Sequence, residues 1–352
     1  LLAEVSDRTF QRLIKLKADQ VGVSASWSEW LEYQVKNVDI DPTISQQVRK
    51  GTRELAPLWM RNFSENLPLI KTGRGLKELM VTEPSKPPDH RALIIGRGPS
   101  LYRHNHLKLL AESGYEGLTI ASDGAFIDCL RNGVVPSHVV TVDGSPVCLK
   151  WYDDPLVDKH GADVKAVIGS HISPRVVERI LKAQMPIYWF QPSLDDIRNQ
   201  PSITRMQMLM SCTEANPEGT LLSMDCGGNA GTTCWILAWT VLKRIDTCLI
   251  GLDFGYPEDM PLSETYYWDR TVDFLGALQA DARYETIWHP TFKTTSKIDV
   301  VFKCYRETLL DMLLTIPDWL RVVNATEGGT LFHPRMECMK LREWLEEVKH
   351  GI

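Results

Sequence analysis

Five turns of the sequence combine glycine or another small residue with a hydroxyl, amide or carboxylate side chain. Each turn follows a short, almost wholly apolar run of the kind that forms a strand buried on both faces. The turns span residues 96–100, 122–124, 143–145, 251–255 and 324–330. Ligands bind beyond the carboxyl ends of the strands in open α/β sheets. The pattern therefore predicts one binding site for a phosphorylated small molecule, built from turns that meet at one sheet edge.

The turn after the first strand is the strongest candidate for phosphate binding. Gly96 and Gly98 let the backbone approach a phosphate, and a helix starting near Ser100 offers free N–H groups. Arg97 can add a charge-assisted hydrogen bond. Leu101 stands where a dinucleotide fingerprint has its third glycine, and the chain contains no P-loop motif. An ordinary strand-to-helix turn remains the alternative.

A second glycine-rich segment, residues 227–233, also precedes a predicted helix. It offers Gly228, Asn229, Gly231 and Thr232 to an anion or to the edge of a nucleotide base. Alternatively, its glycines only let the helix pack tightly against the sheet.

Two aspartates next to these turns are the predicted catalytic and metal-binding residues. Asp143 and Asp253 each lie just past a strand end and are flanked by glycine, directly in the case of Asp143 and two residues away on either side in the case of Asp253. Magnesium is commonly held by one or two carboxylates together with substrate phosphates. Asp123 is expected to contact a ribose hydroxyl. Each carboxylate is equally consistent with a loop residue that caps backbone N–H groups.

The composition excludes several classes of protein. The chain has 352 residues, 43% of them hydrophobic and 24% charged, which rules out a disordered chain. Its net charge of −6 argues against a generic binder of nucleic acid or anionic membranes. The longest apolar run is far shorter than the roughly 20 residues of a membrane span. The eight cysteines form no CxxC pair, which favours buried thiols in a reducing compartment, and we expect a cytoplasmic protein.

Strand and helix patterns alternate along most of the chain. This alternation predicts an α/β fold with a mostly parallel sheet and helices on both faces. Residues 1–88 have a polar, helical pattern that ends in a proline-rich segment. The predicted domains are thus an N-terminal helical region (1–88), the α/β domain (89–335) and a C-terminal helix (336–352).

The ordered set of these segments resembles the 6-hydroxymethylpterin diphosphokinase MptE-like family. The segments that carry the resemblance are Ile94–Leu101, Val142–Asp143, Gly228–Thr232, Ile250–Asp253 and Asn324–Gly329. They span roughly residues 91–331. The same domain forms the centre of motility-associated factor glycosyltransferases, which modify flagellin with nonulosonic acids, and it is related in fold to a group of bacterial sialyltransferases.

The resemblance implies a Rossmann-like fold and transfer of diphosphate from ATP to a hydroxymethylpterin-type small molecule with Mg²⁺. It also implies roles for the predicted site residues. Phosphate binding would fall to Gly96, Arg97, Gly98 and Ser100. Nucleotide or pterin contacts would come from Asn229 and Thr232, and substrate contacts from Asn324, Glu327 and Gly328. Asp143 and Asp253 would hold the metal or orient the hydroxyl.

Other functions stay open beside the kinase. A glycosyltransferase using a CMP-linked nonulosonic sugar would hold cytidine in the glycine turns and would not strictly require a metal. There the N-terminal helices and Tyr266–Trp268 would help to bind the acceptor. An NAD-dependent oxidoreductase is disfavoured by the missing glycine, and a non-catalytic nucleotide-binding module is a further alternative. The expected partners are small molecules, with no nucleic acid and no membrane, and a homo-oligomer stays open.

Overall fold

The structure, a computed structural model, describes residues 42–82, 90–194, 202–212, 221–276 and 280–351. Residues 1–41 of the predicted N-terminal region, and most of the proline-rich segment with the predicted boundary near residue 88, lie outside the described residues. The α-helices are α1 Pro42–Thr72, α2 Leu76–Thr82, α3 Ser100–Arg103, α4 His106–Ser113, α5 Asp123–Arg131, α6 Pro155–His160, α7 Pro174–Lys182, α8 Ile203–Met210, α9 Ala230–Ile236, α10 Trp268–Leu275, α11 Val300–Leu313 and α12 Leu341–His350.

Thirteen strands are described, and they form two sheets. They are β1 Arg74–Gly75, β2 Arg91–Ile95, β3 Leu118–Ser122, β4 His138–Thr141, β5 Lys165–Gly169, β6 Ile187–Pro192, β7 Ser223–Met224, β8 Asp246–Ile250, β9 Tyr256–Pro257, β10 Glu285–His289, β11 Thr294–Ile298, β12 Arg321–Asn324 and β13 Glu337–Cys338. The large sheet has the order β1-β6-β5-β4-β3-β2-β8-β12-β13, with β7 also paired to β6. All of its described pairings are parallel.

Both faces of the large sheet are covered. Ala92 and Ile94 on one face of β2 belong to a core that contains Trp235 of α9. The alternate residue Leu93 faces a second core, which contains Trp344 of α12. Because side chains alternate along a strand, burial of both faces requires an apolar residue at every position. The structure confirms the predicted mostly parallel, Rossmann-like sheet with helices on both faces.

The centre of the sheet is a topological switch point. From β2 the chain builds outward through β3, β4, β5 and β6 on one side, and through β8, β12 and β13 on the other. The turns that follow β2 and β8 are therefore neighbours at the carboxyl edge, where ligands bind in such sheets. The turns after β3, β4 and β12 lie along the same edge because all of these strands are parallel.

The C-terminal half of α1 belongs to the core of the α/β fold. Phe63 and Ile70 are fully buried in a cluster with Val139 of β4 and with Ala166 and Ile168 of β5. Strand β1, directly after α1, adds to the edge of β6. Residues from about 59 onward thus pack on the sheet beside the candidate site. None of the described helices combines the length and apolar character needed to cross a membrane.

The segment between β8 and β12 forms a small antiparallel sheet with the order β10-β11-β9. It packs through aromatic rings, and the Tyr256 ring lies 5.2 Å from the Phe302 ring of α11. Tyr267 contacts the same phenylalanine at 5.5 Å. Tyr305 of the same helix lies next to Gly228, just before α9, so this aromatic layer borders the carboxyl edge of the large sheet.

Candidate functional site

The turns after β2 and β8 are in direct backbone contact. Gly96 N donates to Ile250 O at 2.8 Å, and Gly98 N donates to Gly251 O at 2.7 Å. A Cβ atom on Gly96 would lie 2.4 Å from Gly251 O, closer than real Cβ atoms approach any atom. Gly251 itself has a φ of +65°. These glycines are therefore required for the close approach of two protein turns.

The carboxylate of Asp253 lies at the N-terminal end of helix α3. It accepts hydrogen bonds from Ser100 N at 3.2 Å and from Ser100 Oγ at 2.7 Å. A Cβ on Gly98 would lie 1.9 Å from Asp253 Oδ2. Asp253 is only 5% exposed, and burial raises the pKa of its carboxyl group to about 6. The donors of Ser100 thus bind the protein's own carboxylate instead of facing a phosphate, which is the capping arrangement considered as an alternative for Asp253.

The turn after β12 is also held by its own hydrogen bonds. Asn324 is fully buried, donates to Leu331 O at 2.6 Å and accepts from Thr326 N at 3.0 Å. Glu327 accepts from Leu341 N and lies 3.2 Å from His106 Nε2. Burial opposes ionisation of Glu327, but these hydrogen bonds lower its pKa overall. The predicted substrate-binding polar groups of Asn324 and Glu327 therefore already have partners, whereas the neighbouring Gly328 has open space around it.

Asn229 caps helix α9. Its Oδ1 accepts from Thr232 N at 2.9 Å, and its Nδ2 donates to Thr232 Oγ1 at 2.9 Å and to Gly227 O at 3.2 Å. Thr232 is fully buried, and Gly231 packs against Leu252. Asn229 and Thr232 therefore order the helix start, which is the local role that their residue types favour.

Gly228 differs from its neighbours because it is exposed at the carboxyl edge. It has a φ of +81°, and a Cβ there would lie 2.8 Å from the ring of Tyr305. Tyr305 hydrogen-bonds to Tyr267, and both pKa values are raised by burial. The charge of Asp143 also acts on Tyr305. The glycine-rich start of α9 and the aromatic layer thus meet beside the Asp143 turn.

Asp123 and Asp143 form a carboxylate pair on neighbouring strands. Asp123 directly follows β3, and Asp143 lies two residues beyond β4, which pairs with β3. Asp123 is 8% exposed and accepts from Gly124 N at 2.7 Å. Asp143 is exposed and accepts from Ser145 N at 2.8 Å. Burial raises the pKa of Asp123 to about 7, and the negative charge of Asp143 adds to this shift.

The sheet order separates the two predicted metal ligands. The strands that precede Asp143 and Asp253 are three positions apart in the sheet, or about 14 Å at the usual strand spacing. Oxygen ligands of magnesium lie about 2.1 Å from the ion. This spacing argues against Asp143 and Asp253 as joint ligands of one ion, and Asp123 is the carboxylate nearer to Asp143 in the sheet. Among the described residues, no cluster of three or more acidic, histidine or cysteine side chains has the geometry of a metal site.

A buried hydrogen-bond network lies behind Asp123. The hydroxyls of Thr141 and Tyr152, both fully buried, are 2.6 Å apart. Thr141 and the thiol of Cys148 both hydrogen-bond to Asp123. Burial raises the pKa of Cys148, and the charge of Asp123 contributes. The network therefore holds Asp123 in one orientation and keeps the thiol protonated.

Helix α1 clasps the turns after β4 and β5. Asn62 Nδ2 donates to Gly144 O at 2.9 Å and to His171 O at 3.0 Å. Asn66 Nδ2 donates to Ile172 O at 2.8 Å and more weakly to Ser170 O at 3.3 Å. Each amide group thus bonds two carbonyls, and Asn62 fixes the residue that follows Asp143. The sequence pattern revealed α1 as a helix but gave no signal for this contact.

His171 lies under this clasp. Its ring packs edge-on against Trp59 of α1, with ring centres 5.4 Å apart. Burial lowers the pKa of His171 to about 4, so the imidazole is neutral near pH 7. His171 therefore packs against helix α1 from the turn after β5, and it adds no charge to the site.

Arg97 points away from the β2 turn and across the start of α5. A Cβ on Gly124 would lie 3.0 Å from Arg97 Cδ. The side chain of Arg97 is 45% exposed, and its guanidinium lies 4.4 Å from the Trp151 ring. Tyr266, which is 65% exposed, lies near both Arg97 and Asp143, whose charges act on its hydroxyl. Arg97, Tyr266, Asp123 and Asp143 therefore lie close to one another at the carboxyl edge, and we refer to this group of residues as the mouth.

The fold is that of a Rossmann-like α/β protein, and the mouth lies at the carboxyl edge of its large sheet. Residues 61–259 match the family described as "6-hydroxymethylpterin diphosphokinase MptE-like". Because this match covers more than half of the chain, the chain belongs to that family, which confirms the resemblance in the sequence. The match begins inside α1 rather than near residue 91, so it includes the Asn62 clasp. No curated protein matches the chain in sequence.

Among solved structures, the chain resembles the MAf glycosyltransferase from Magnetospirillum magneticum AMB-1. The TM-score is 0.50 at 13% sequence identity. The alignment covers 73% of this chain and 34% of that protein, so the chain spans about a third of its length. At this identity, the likeness supports the fold alone.

Proposed function

We propose that the protein is a nucleotide-dependent transferase that moves diphosphate from ATP to the hydroxyl of a hydroxymethylpterin-type small molecule. The observation that carries this proposal is the Asp123–Asp143 pair at the carboxyl edge, beside Arg97. The family match supports the proposal, because the description of the matching family names a diphosphokinase. A mouth with two carboxylates repels a polyphosphate unless a cation neutralises part of the charge.

The donor set fits a magnesium ion held by Asp143. This carboxylate is exposed at the carboxyl edge, where substrate phosphates can supply further oxygen ligands. Magnesium prefers one or two carboxylates plus substrate phosphates. When bound, the ion would supply charge neutralisation to the phosphates of ATP.

In the proposed reaction the substrate hydroxyl attacks the β-phosphorus of ATP. A bond forms between that oxygen and the β-phosphorus, the bond to the bridging oxygen of the α-phosphate breaks, and AMP leaves. Asp123 accepts the hydroxyl proton, because a base with a pKa of about 7 is suited to proton transfer at neutral pH. Arg97 binds the transferred phosphates through charge-assisted hydrogen bonds. Catalysis of this type is mainly positioning and charge stabilisation.

The second candidate is a glycosyltransferase using a CMP-linked nonulosonic sugar. The cluster of Tyr266, Tyr267 and Tyr305 at the mouth favours it, because phenol groups can donate hydrogen bonds to a departing nucleotide phosphate without a metal. The structural neighbour is a glycosyltransferase by name. The alignment with that structure covers 73% of this chain, which is more than the family match covers.

Thermal unfolding with candidate ligands separates these functions. A ligand at 100 times its dissociation constant stabilises the protein by about 2.7 kcal/mol, which corresponds to a rise in Tm of about 4 °C for a chain of this length. We expect this rise with ATP and Mg²⁺, and we expect AMP release when a hydroxymethylpterin is added. A response to CMP or CTP without metal, and none to ATP, would instead establish the glycosyltransferase.

Asp143→Asn is the variant for this test, and Asp163→Asn is its matched control. Asp163 is exposed and precedes β5, at the opposite edge of the sheet. Asp143→Asn should lose the ATP–Mg²⁺ response while keeping the Tm of the ligand-free protein. Equal responses of both variants and the wild type would exclude Asp143 as the metal-binding residue.

A further inference from the structure

We propose that Arg97 and Lys150, both held against the ring of Trp151, form a binding subsite for a diphosphate group. The inference rests on the proposed function and specifies which residues take the two transferred phosphates. Neither Lys150 nor Trp151 stands out in the sequence, because they belong to no motif.

The two cations share one aromatic ring. The guanidinium of Arg97 lies 4.4 Å from the centre of the Trp151 ring, and Lys150 Nζ lies 4.4 Å from the same centre. Their separation therefore cannot exceed twice that distance. Cation–π contacts of this kind hold a long side chain in place while its charge stays accessible. The arrangement therefore holds two positive charges near each other, and we infer that one diphosphate bridges them.

Both charges are available to a ligand. Within the described part of the chain, Lys150 is exposed and forms no ion pair. Arg97 is paired with Asp128, to whose Oδ2 its Nε donates a long hydrogen bond of 3.5 Å. The carboxylate of Asp128 already accepts a shorter hydrogen bond of 2.7 Å from the hydroxyl of Tyr102. A ligand phosphate can therefore compete well for Arg97.

A single segment carries both the predicted metal carboxylate and the lysine. Asp143 accepts from Ser145 N, and Ser145 in turn caps the short 3₁₀-helix Pro146–Trp151 through Val147 N. The charges of Lys150, Asp123 and Asp143 all affect the pKa of Cys148, so the four residues lie close together. The negative groups that face the subsite are thus Asp123, Asp128 and Asp143. A group that combines carboxylates with cations suits a diphosphate that carries a bound divalent ion.

The test is titration calorimetry of the whole chain with three probes: ATP, AMP and inorganic diphosphate, each with Mg²⁺. The variants are Lys150→Gln and Arg97→Gln. The matched control is Lys182→Gln, which changes an exposed lysine in the last turn of α7. Because a hydrogen bond to a charged group contributes about 1.5–3 kcal/mol, each variant should weaken ATP and diphosphate binding about tenfold or more. AMP affinity and the control should stay unchanged.

The outcomes separate this inference from the proposed function. If wild type binds ATP and both variants bind it equally well, the subsite is wrong and the transferase proposal stands. If wild type binds diphosphate in a Lys150-dependent manner but binds no ATP, the subsite stands and the ATP reaction is wrong. If wild type binds neither probe, the inference is overturned. A variant that loses ATP and AMP affinity by the same factor would also overturn the inference. The substituted residue would then bind a part of the ligand that ATP and AMP share, not the diphosphate group.

Discussion

At the scale of single residues, two aspartates that look alike in the sequence lie in different surroundings. Asp253 is buried and bonded to Ser100, whereas Asp143 is exposed at the mouth. Both follow an apolar strand and have a glycine within two residues, so the local sequence could not distinguish them. The difference arises from which strands are neighbours, because β8 brings Asp253 against the β2 turn.

Asp253→Ala should destabilise the fold. The substitution leaves the N–H and hydroxyl of Ser100 buried without an acceptor, which typically costs about 1–3 kcal/mol. Asp253→Asn should cost less, because its amide oxygen can still accept from Ser100 N. Urea unfolding of the two variants measures both effects. Unchanged stability of Asp253→Ala would show that the carboxylate has no structural role.

Asp123→Asn should stabilise the protein at pH 8. The native state raises the pKa of Asp123 to about 7, so the folded protein binds this proton more tightly than the unfolded chain. Stability is therefore lost as the pH rises from the unfolded value of about 3.9 towards 7. The asparagine variant avoids this loss, and its advantage should disappear near pH 4. Thermal unfolding at pH 4 and pH 8 gives the comparison, and an advantage at pH 4 alone would contradict it.

At the scale of elements, helix α1 positions the loop that bears Asp143. Asn62 bonds the carbonyl oxygens of Gly144 and His171, and both acceptors are at the carboxyl edge. The polar pattern of residues 1–88 predicted a helical region, but the two asparagines are ordinary helix residues in the sequence. Their role depends on the packing of α1 against β4 and β5, which only the tertiary structure defines.

Asn62→Ala should lower stability by about 1–3 kcal/mol, because two buried carbonyl oxygens lose their donor. It should also weaken ATP–Mg²⁺ binding, since the Asp143 loop is no longer fixed. Ser64→Ala is the control, because Ser64 is exposed and bonds only within α1. Unfolding and calorimetry on both variants provide the two readouts. Loss of stability with unaltered affinity would mean that the clasp holds the fold and does not position Asp143.

At the scale of the whole molecule, the α/β alternation was sufficient to predict the parallel sheet and the edge at which the turns meet. The strands are buried on both faces, so their continuous apolar character is a strong local signal. The glycine turns were harder to interpret. Gly96 and Gly251 permit contact between two turns, and glycine looks the same in the sequence whether it approaches a phosphate or another backbone. No comparable sequence pattern predicted the small antiparallel sheet or the contacts of Arg97 and Lys150 with Trp151.

The central claim is that a nucleotide with magnesium binds at the Asp123–Asp143 side of the switch edge. Calorimetric titration of ATP with Mg²⁺ into wild type, Asp143→Asn and Asp253→Asn tests this most directly. We predict that Asp143→Asn loses binding and that Asp253→Asn retains it within a few-fold of wild type. The account is contradicted if Asp143→Asn retains ATP–Mg²⁺ binding and a folded Asp253→Asn loses it. That result would place the ligand at the turns after β2 and β8.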